Sequence, residues 1–170
     1  MGLLNLADGD IVIEVGAGYG LWAAQVASSG CILHTFEPNT ANRAIAYERL
    51  NGFKNVTLWP YALGGSDRTA SLYCTGLKST LTTDGEKCEE CTMVSLNHFL
   101  VHNRIGEVFL LRLDCNGAEV EILEQALELG LTKRIKRILV GTLPRGIEEK
   151  LSQTHRHNGW YWERIGDGLA

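Results

Sequence analysis

A chain of 170 residues is about one domain long and large enough to bury a real core. Its hydrophobic fraction of 45% and charged fraction of 21% are those of an ordinary soluble globular protein. The formal net charge of −4, with no basic run or Lys/Arg stripe, argues against nucleic acid as a partner. No apolar stretch reaches the roughly 18 residues of a membrane span. The start, "MGLLNLADGD", carries no secretory signal, and it lacks the Ser or Thr that a myristoylation signal has at its sixth position. A cytoplasmic protein without a membrane partner is expected, and its oligomeric state is left open.

Strand candidates follow one another at 10–15, 31–37, 56–62, 108–114, 135–142 and 160–165. Helical stretches lie between them at 21–28, 42–50 and 118–129, with a less regular one over 146–156. The helix at 118–129 shows the clearest period: Val120, Leu123 and Leu127 form one stripe, and Gly130 stands at its C-terminal cap. Strands alternating with helices predict right-handed crossovers and a doubly wound, mostly parallel sheet between two helix layers. The chain reads as a single domain, residues 1–170.

One segment, 64–96, interrupts the alternation with two short β-like pieces, 69–74 and 92–96, around a polar loop. It predicts a hairpin insertion between the third and fourth core strands, as a binding loop or a sheet extension. The cysteines, Cys31, Cys74, Cys88, Cys91 and Cys115, are irregularly spaced and do not read as a disulfide framework. The only close pair, in "CEEC", is expected in a solvated loop rather than at a zinc or redox site. No metal ligand set is expected.

The first strand runs into Gly16-Ala17-Gly18-Tyr19-Gly20, with the acidic Glu14 just before the turn. A dinucleotide fingerprint needs its third glycine one residue later, and a P-loop needs a following Gly-Lys-Ser/Thr. Three glycines so close predict a ligand approaching the backbone. Glu37 closes the second strand, ahead of Pro38, where a carboxylate can accept both hydroxyls of a ribose. Asp114 ends the very apolar "VFLLRLD" and is a candidate site residue. Asn116 followed by Glu119 reads as near a capping box for the helix after it, with Glu119 alternatively a base or polar anchor.

The ordered set "DIVIEVGAGYG", "FEPN", "WPYALGG", "KSTLTT", "MVSLNHFL" and "LLRLDCNGAEVEIL" resembles the FkbM-type family of S-adenosylmethionine-dependent methyltransferases over nearly the whole chain. The last segment is similar to the best-marked family motif, K-I-D-V-E-G-A-E-x-x-x-L. The resemblance implies a Rossmann-like fold, S-adenosylmethionine as cofactor and a small-molecule hydroxyl, on a sugar or natural product, as methyl acceptor. It implies cofactor contacts from Glu14, Gly16, Ala17, Gly18, Tyr19, Gly20, Glu37, Pro38, Tyr61, Ala62 and Asp114. Asp114 is the first choice for the catalytic base and Glu119 the second. Against the family pattern, Gly18 stands for Asn, Glu14 for Asp, Arg112 for Lys, Asn97 for Asp and Asn116 for Glu. The chain also begins almost at the first strand, so a segment covering the pocket from that side is expected to be short or absent. A degenerate or truncated cofactor-binding domain without turnover therefore stays open. A nucleotide-dependent oxidoreductase is disfavoured by the glycine spacing.

Overall fold

The computed structural model describes residues 5–75, 78–81, 85–141 and 161–164. The expected helix at 146–156 lies outside them. The central sheet has six strands: β1 (Ile11–Val15), β2 (Ile32–Phe36), β3 (Val56–Trp59), β8 (Val108–Leu113), β9 (Ile135–Val140) and β10 (Tyr161–Arg164). Their order is β10-β9-β8-β1-β2-β3, and every neighbouring pair is parallel. The direction of winding reverses between β1 and β8. This is the doubly wound, Rossmann-like α/β arrangement that the alternation predicts.

Parity along the strands splits the core in two. Ile13, Val15, Leu111 and Leu113 point to one face, where they pack with α3 (Leu96–His102) and α4 (Glu119–Glu128). Val12, Leu33 and Leu110 point to the other, against Ala23 and Val26 of α1 (Leu21–Ala27) and Ala46 and Leu50 of α2 (Thr40–Leu50). Burial on both faces explains why β8 reads as a nearly unbroken apolar run. Two helices begin on side-chain caps: Asn39 accepts from the Asn42 amide at 2.9 Å and Ser95 from the His98 amide at 3.2 Å.

The expected third strand, 56–62, is divided. Pro60 has no amide to extend the ladder, so β3 stops at Trp59 and β4 (Ala62–Gly64) joins a different sheet. That second sheet has the order β4-β7-β5-β6, with β5 (Arg68–Thr75), β6 (Lys78–Thr80) and β7 (Glu86–Ser95). The insertion is thus larger than the expected hairpin.

It also corrects the cysteine reading. "CEEC" lies in β7, and Cys88 sits at the register shift between Leu72 and Tyr73 of β5, where it forms a disulfide with Cys74. Cys91 is buried beside Ala62, Leu72 and Met93. Irregular spacing conceals the bridge because the hairpin register, rather than the spacing, brings the two residues together. Thiol titration of the denatured, unreduced protein should count the three free cysteines, Cys31, Cys91 and Cys115, and all five after reduction. Reduction should lower stability by about 3 kcal/mol, the loop-closure entropy of a short loop, read from the shift in a urea midpoint.

Candidate functional site

A cavity of about 310 Å³ opens at the C-terminal edges of β1, β2 and β8, where the winding reverses. Glu14, Gly16, Ala17, Gly18, Tyr19, Glu37, Pro38, Ala62 and Asp114 all line it. Trp22, Thr80, Leu81, Arg112, Cys115 and Asn116 complete much of the wall. Gly20, Tyr61 and Glu119 are not part of it. Tyr61 instead packs with Phe36 and Trp59, at ring separations of 5.6 Å each; as an aromatic it joined the core.

The glycine turn has a different cause at each position. The amides of Gly16 and Ala17 donate to the Phe36 carbonyl at 3.0 and 2.9 Å, which presses the turn against the end of β2. Gly16 has φ +91°, and a Cβ there would collide with the Asp114 carbonyl. Gly20 has φ +73° and lies close to Ala46 of α2, 3.3 Å from where its Cβ would be. Both are therefore explained by the chain's own packing, which corrects the expectation that all three glycines make room for a ligand. Gly18 is the exception. Its φ is +53°, nothing among the described residues lies within 4 Å of an added Cβ, and its amide donates to Glu37 Oε2 at 2.7 Å.

Glu37 is only 4% exposed. Its other oxygen, Oε1, accepts from the Asn39 amide at 2.9 Å. Burial pushes its pKa up, while these two amides pull it down. Each oxygen accepts one amide and keeps capacity for another donor. Arg43 braces the same loop, donating from Nη1 to the carbonyls of Glu37 and Pro38 at 3.0 and 2.7 Å.

Glu14 contributes to the cavity lining yet has no solvent exposure. Register makes it the partner of Thr35 on β2 and of Arg112 on β8. Thr35 Oγ1 donates to Glu14 Oε2 at 2.6 Å, and Arg112 Nη1 to Glu14 Oε1 at 2.9 Å. The second arm of Arg112, Nη2, reaches Asp114 Oδ2 at 2.5 Å, and Trp22 lies 4.9 Å from the guanidinium carbon. With no exposure and both oxygens engaged, Glu14 holds Arg112 within the sheet. Asp114, with 48% of its side chain exposed, is the acidic member that reaches the cavity.

The capping box is corrected as well. The N-cap of α4 is Ala118, and Asn116 has φ +53°, a left-handed position that asparagine tolerates. Glu119 turns back over the loop and accepts from three amides: Cys115 at 2.9 Å, Asn116 at 2.8 Å and Gly117 at 2.8 Å. A carboxylate so occupied, and outside the cavity, is not placed to act as a base. Cys115 lies against it; desolvation first and the Glu119 charge second hold its thiol well above the ordinary range, and so neutral. The Asn116 carbonyl accepts from Leu81 N at 3.2 Å and from Thr80 Oγ1, so β6 closes over this loop.

Sequence reasoning missed Arg112, Thr35 and Trp22 as members of the site. Only the strand register sets Thr35 and Arg112 beside Glu14, and only the packing of α1 brings Trp22 over the guanidinium.

Two tests follow. Gly18→Ala should cost roughly 1 kcal/mol for its handedness alone, and Gly16→Ala roughly 2–4 kcal/mol because strain is added to a backbone collision; urea melts measure both. The second concerns pH. Desolvation outweighs the Arg112 charge and the Thr35 hydrogen bond and raises the Glu14 pKa from 4.5 to about 7. Between those values the folded state holds a proton that the unfolded state has released. The stability this proton confers is full below 4.5 and is lost as pH rises through 7, on the order of 3 kcal/mol in all. Glu14→Gln should flatten that slope when urea melts at pH 4.5 and 7.5 are compared with wild type.

A family model for the methyltransferase FkbM domain matches residues 14–160, most of the chain. A search of curated proteins finds no match. The matched span takes in the glycine turn, Glu37, the second sheet and the Arg112–Glu119 segment, and with them all the walls of the cavity just described. The chain belongs to the FkbM methyltransferase family.

Proposed function

We propose that the protein is an S-adenosylmethionine-dependent O-methyltransferase whose acceptor is a hydroxyl group on a small molecule such as a sugar or natural product. One observation carries this reading. Glu37, closing β2, and Asp114, closing β8, line a single cavity at the sheet's reversal point, with the open side of Gly18 between the turn and Glu37. Glu37 would take the ribose hydroxyls on its remaining acceptor capacity, in a buried setting where charge-assisted hydrogen bonds are strong. When bound, the cofactor supplies a methyl group already activated on a sulfonium.

What the protein adds is placement and one proton acceptor. The acceptor hydroxyl would take the methyl group that the bound cofactor supplies, and the Asp114 carboxylate would take the hydroxyl's proton directly or through a water. Asp114 suits this task because it is half-exposed at the cavity with Arg112 as its partner, whereas Glu14 and Glu37 are buried and Glu119 accepts from three amides outside the cavity. A second reading, a binding domain without turnover, is favoured by Asn116 in place of the family carboxylate and by the amide-bound state of Glu119.

Calorimetry with S-adenosylhomocysteine and, separately, NAD tests the cofactor. The first should bind and the second should not, and Glu37→Gln should weaken binding roughly 10- to 100-fold, the loss of a charged hydrogen bond. Turnover on a panel of hydroxylated acceptors separates enzyme from binder. With an acceptor in hand, Asp114→Asn should lower kcat about a hundredfold while S-adenosylhomocysteine affinity holds. Wild-type turnover by that variant would make Asp114 structural.

A further inference from the structure

We infer that Glu14 and Arg112 are positioning residues, a buried pair whose task is to fix the Asp114 carboxylate at the cavity wall. The inference rests on the reading of Asp114 as the proton acceptor. Its own support is the chain of contacts from Glu14, with no exposure, through Arg112, whose side chain is 10% exposed, to Asp114 at 48%.

Stability alone does not account for the pair. Glu14 and Arg112 are register partners on the sheet face where Val12, Leu33 and Leu110 build an apolar core. Desolvating two charges there is expensive, and an apolar pair of similar volume would serve folding at least as well. Arg112 also forgoes a fully satisfied geometry. Its Nη1 goes to Glu14 and its Nη2 to Asp114, and Nε is left buried without a partner among the described residues. A guanidinium spread between two carboxylates orients both, and Trp22 over its plane limits its rotation.

The arrangement couples Asp114 to the protonation of Glu14. The groups facing Glu14 are Arg112 and Asp114 from β8 and its exit, and Thr35 and Glu37 from β2 and its exit. Of these, Arg112 is the cation, and it is shared with Asp114. When Glu14 is protonated, the Arg112 charge is answered by Asp114; when Glu14 ionises, the two carboxylates divide it.

Carboxyl carbon resonances of Asp114, followed by NMR through a pH titration of the isotopically labelled protein, read this directly and need no acceptor. The wild-type resonance should show an inflection near pH 7, where Glu14 titrates, and Glu14→Gln should abolish it. Glu14→Gln keeps the shape and an oxygen for Arg112, so it tests the idea even if Arg112→Met does not fold. In calorimetry, Glu14→Gln should change S-adenosylhomocysteine affinity by less than about threefold. An Asp114 titration unaltered by Glu14→Gln overturns the inference, as does a loss of affinity above about tenfold, which would make Glu14 a ligand contact. Failure of the wild-type protein to bind S-adenosylhomocysteine would remove the cofactor reading, and the Asp114 titration would still decide this one.

Discussion

The row Thr35, Glu14, Arg112 crosses the three central strands β2, β1 and β8 at one depth, and the neighbouring structure has to accommodate it. An ionisable group with no exposure is tolerated only with partners on its polar atoms. Thr35 and Arg112 are those partners only if the parallel register is held as found; a slip by one residue would turn Glu14 into the α4 side of the core, among Leu111 and Leu113. The same constraint explains why α1 carries Trp22 against the guanidinium. Polar chemistry inside a sheet therefore fixes the strand register that the apolar residues, taken alone, would leave more permissive.

The second sheet ties the two sides of the cavity together. On the Glu37 side, Glu89 of β7 accepts from the Thr40 amide and hydroxyl at 2.9 and 2.8 Å, at the start of α2. On the Asp114 side, Thr80 and Leu81 hold the Asn116 carbonyl. The disulfide between Cys74 and Cys88 closes a loop of sequence separation 14 in which Thr80 and Leu81 both fall. The segment that the sequence left as either a binding loop or a sheet extension forms a sheet of its own and also lines the cavity through Leu72, Thr80 and Leu81.

The strand–helix order was legible because apolar period and glycine position are local properties. Glu37 was legible for the same reason: it follows an apolar strand and precedes a proline. The failures share a different origin. Nothing local distinguishes Glu14, whose carboxylate is tied to Thr35 and Arg112, from Glu37, whose carboxylate accepts two loop amides; strand parity and the identity of the residue across the ladder decide it. Asn116 looked like a cap because Glu119 follows three residues later, yet with a left-handed backbone at Asn116 the N-cap is Ala118, and the Glu119 side chain takes the amides of the loop instead. The Cys74–Cys88 bridge depended on a bulge that no spacing rule reveals.

Four carboxylates cluster around one set of strand ends, and their surroundings sort them. Glu119 is saturated by three backbone amides and serves the loop that follows β8. Glu14 is sealed in the sheet and answers Arg112. Glu37 is nearly buried, and its two amides shape the turn around it. Asp114 alone combines solvent access, a place on the cavity wall and a single charged partner. The proton acceptor proposed for this site needs that combination: a partner to keep it oriented, and enough water to exchange with. The division of labour among the four follows from where each strand ends and from what the neighbouring strand places opposite it.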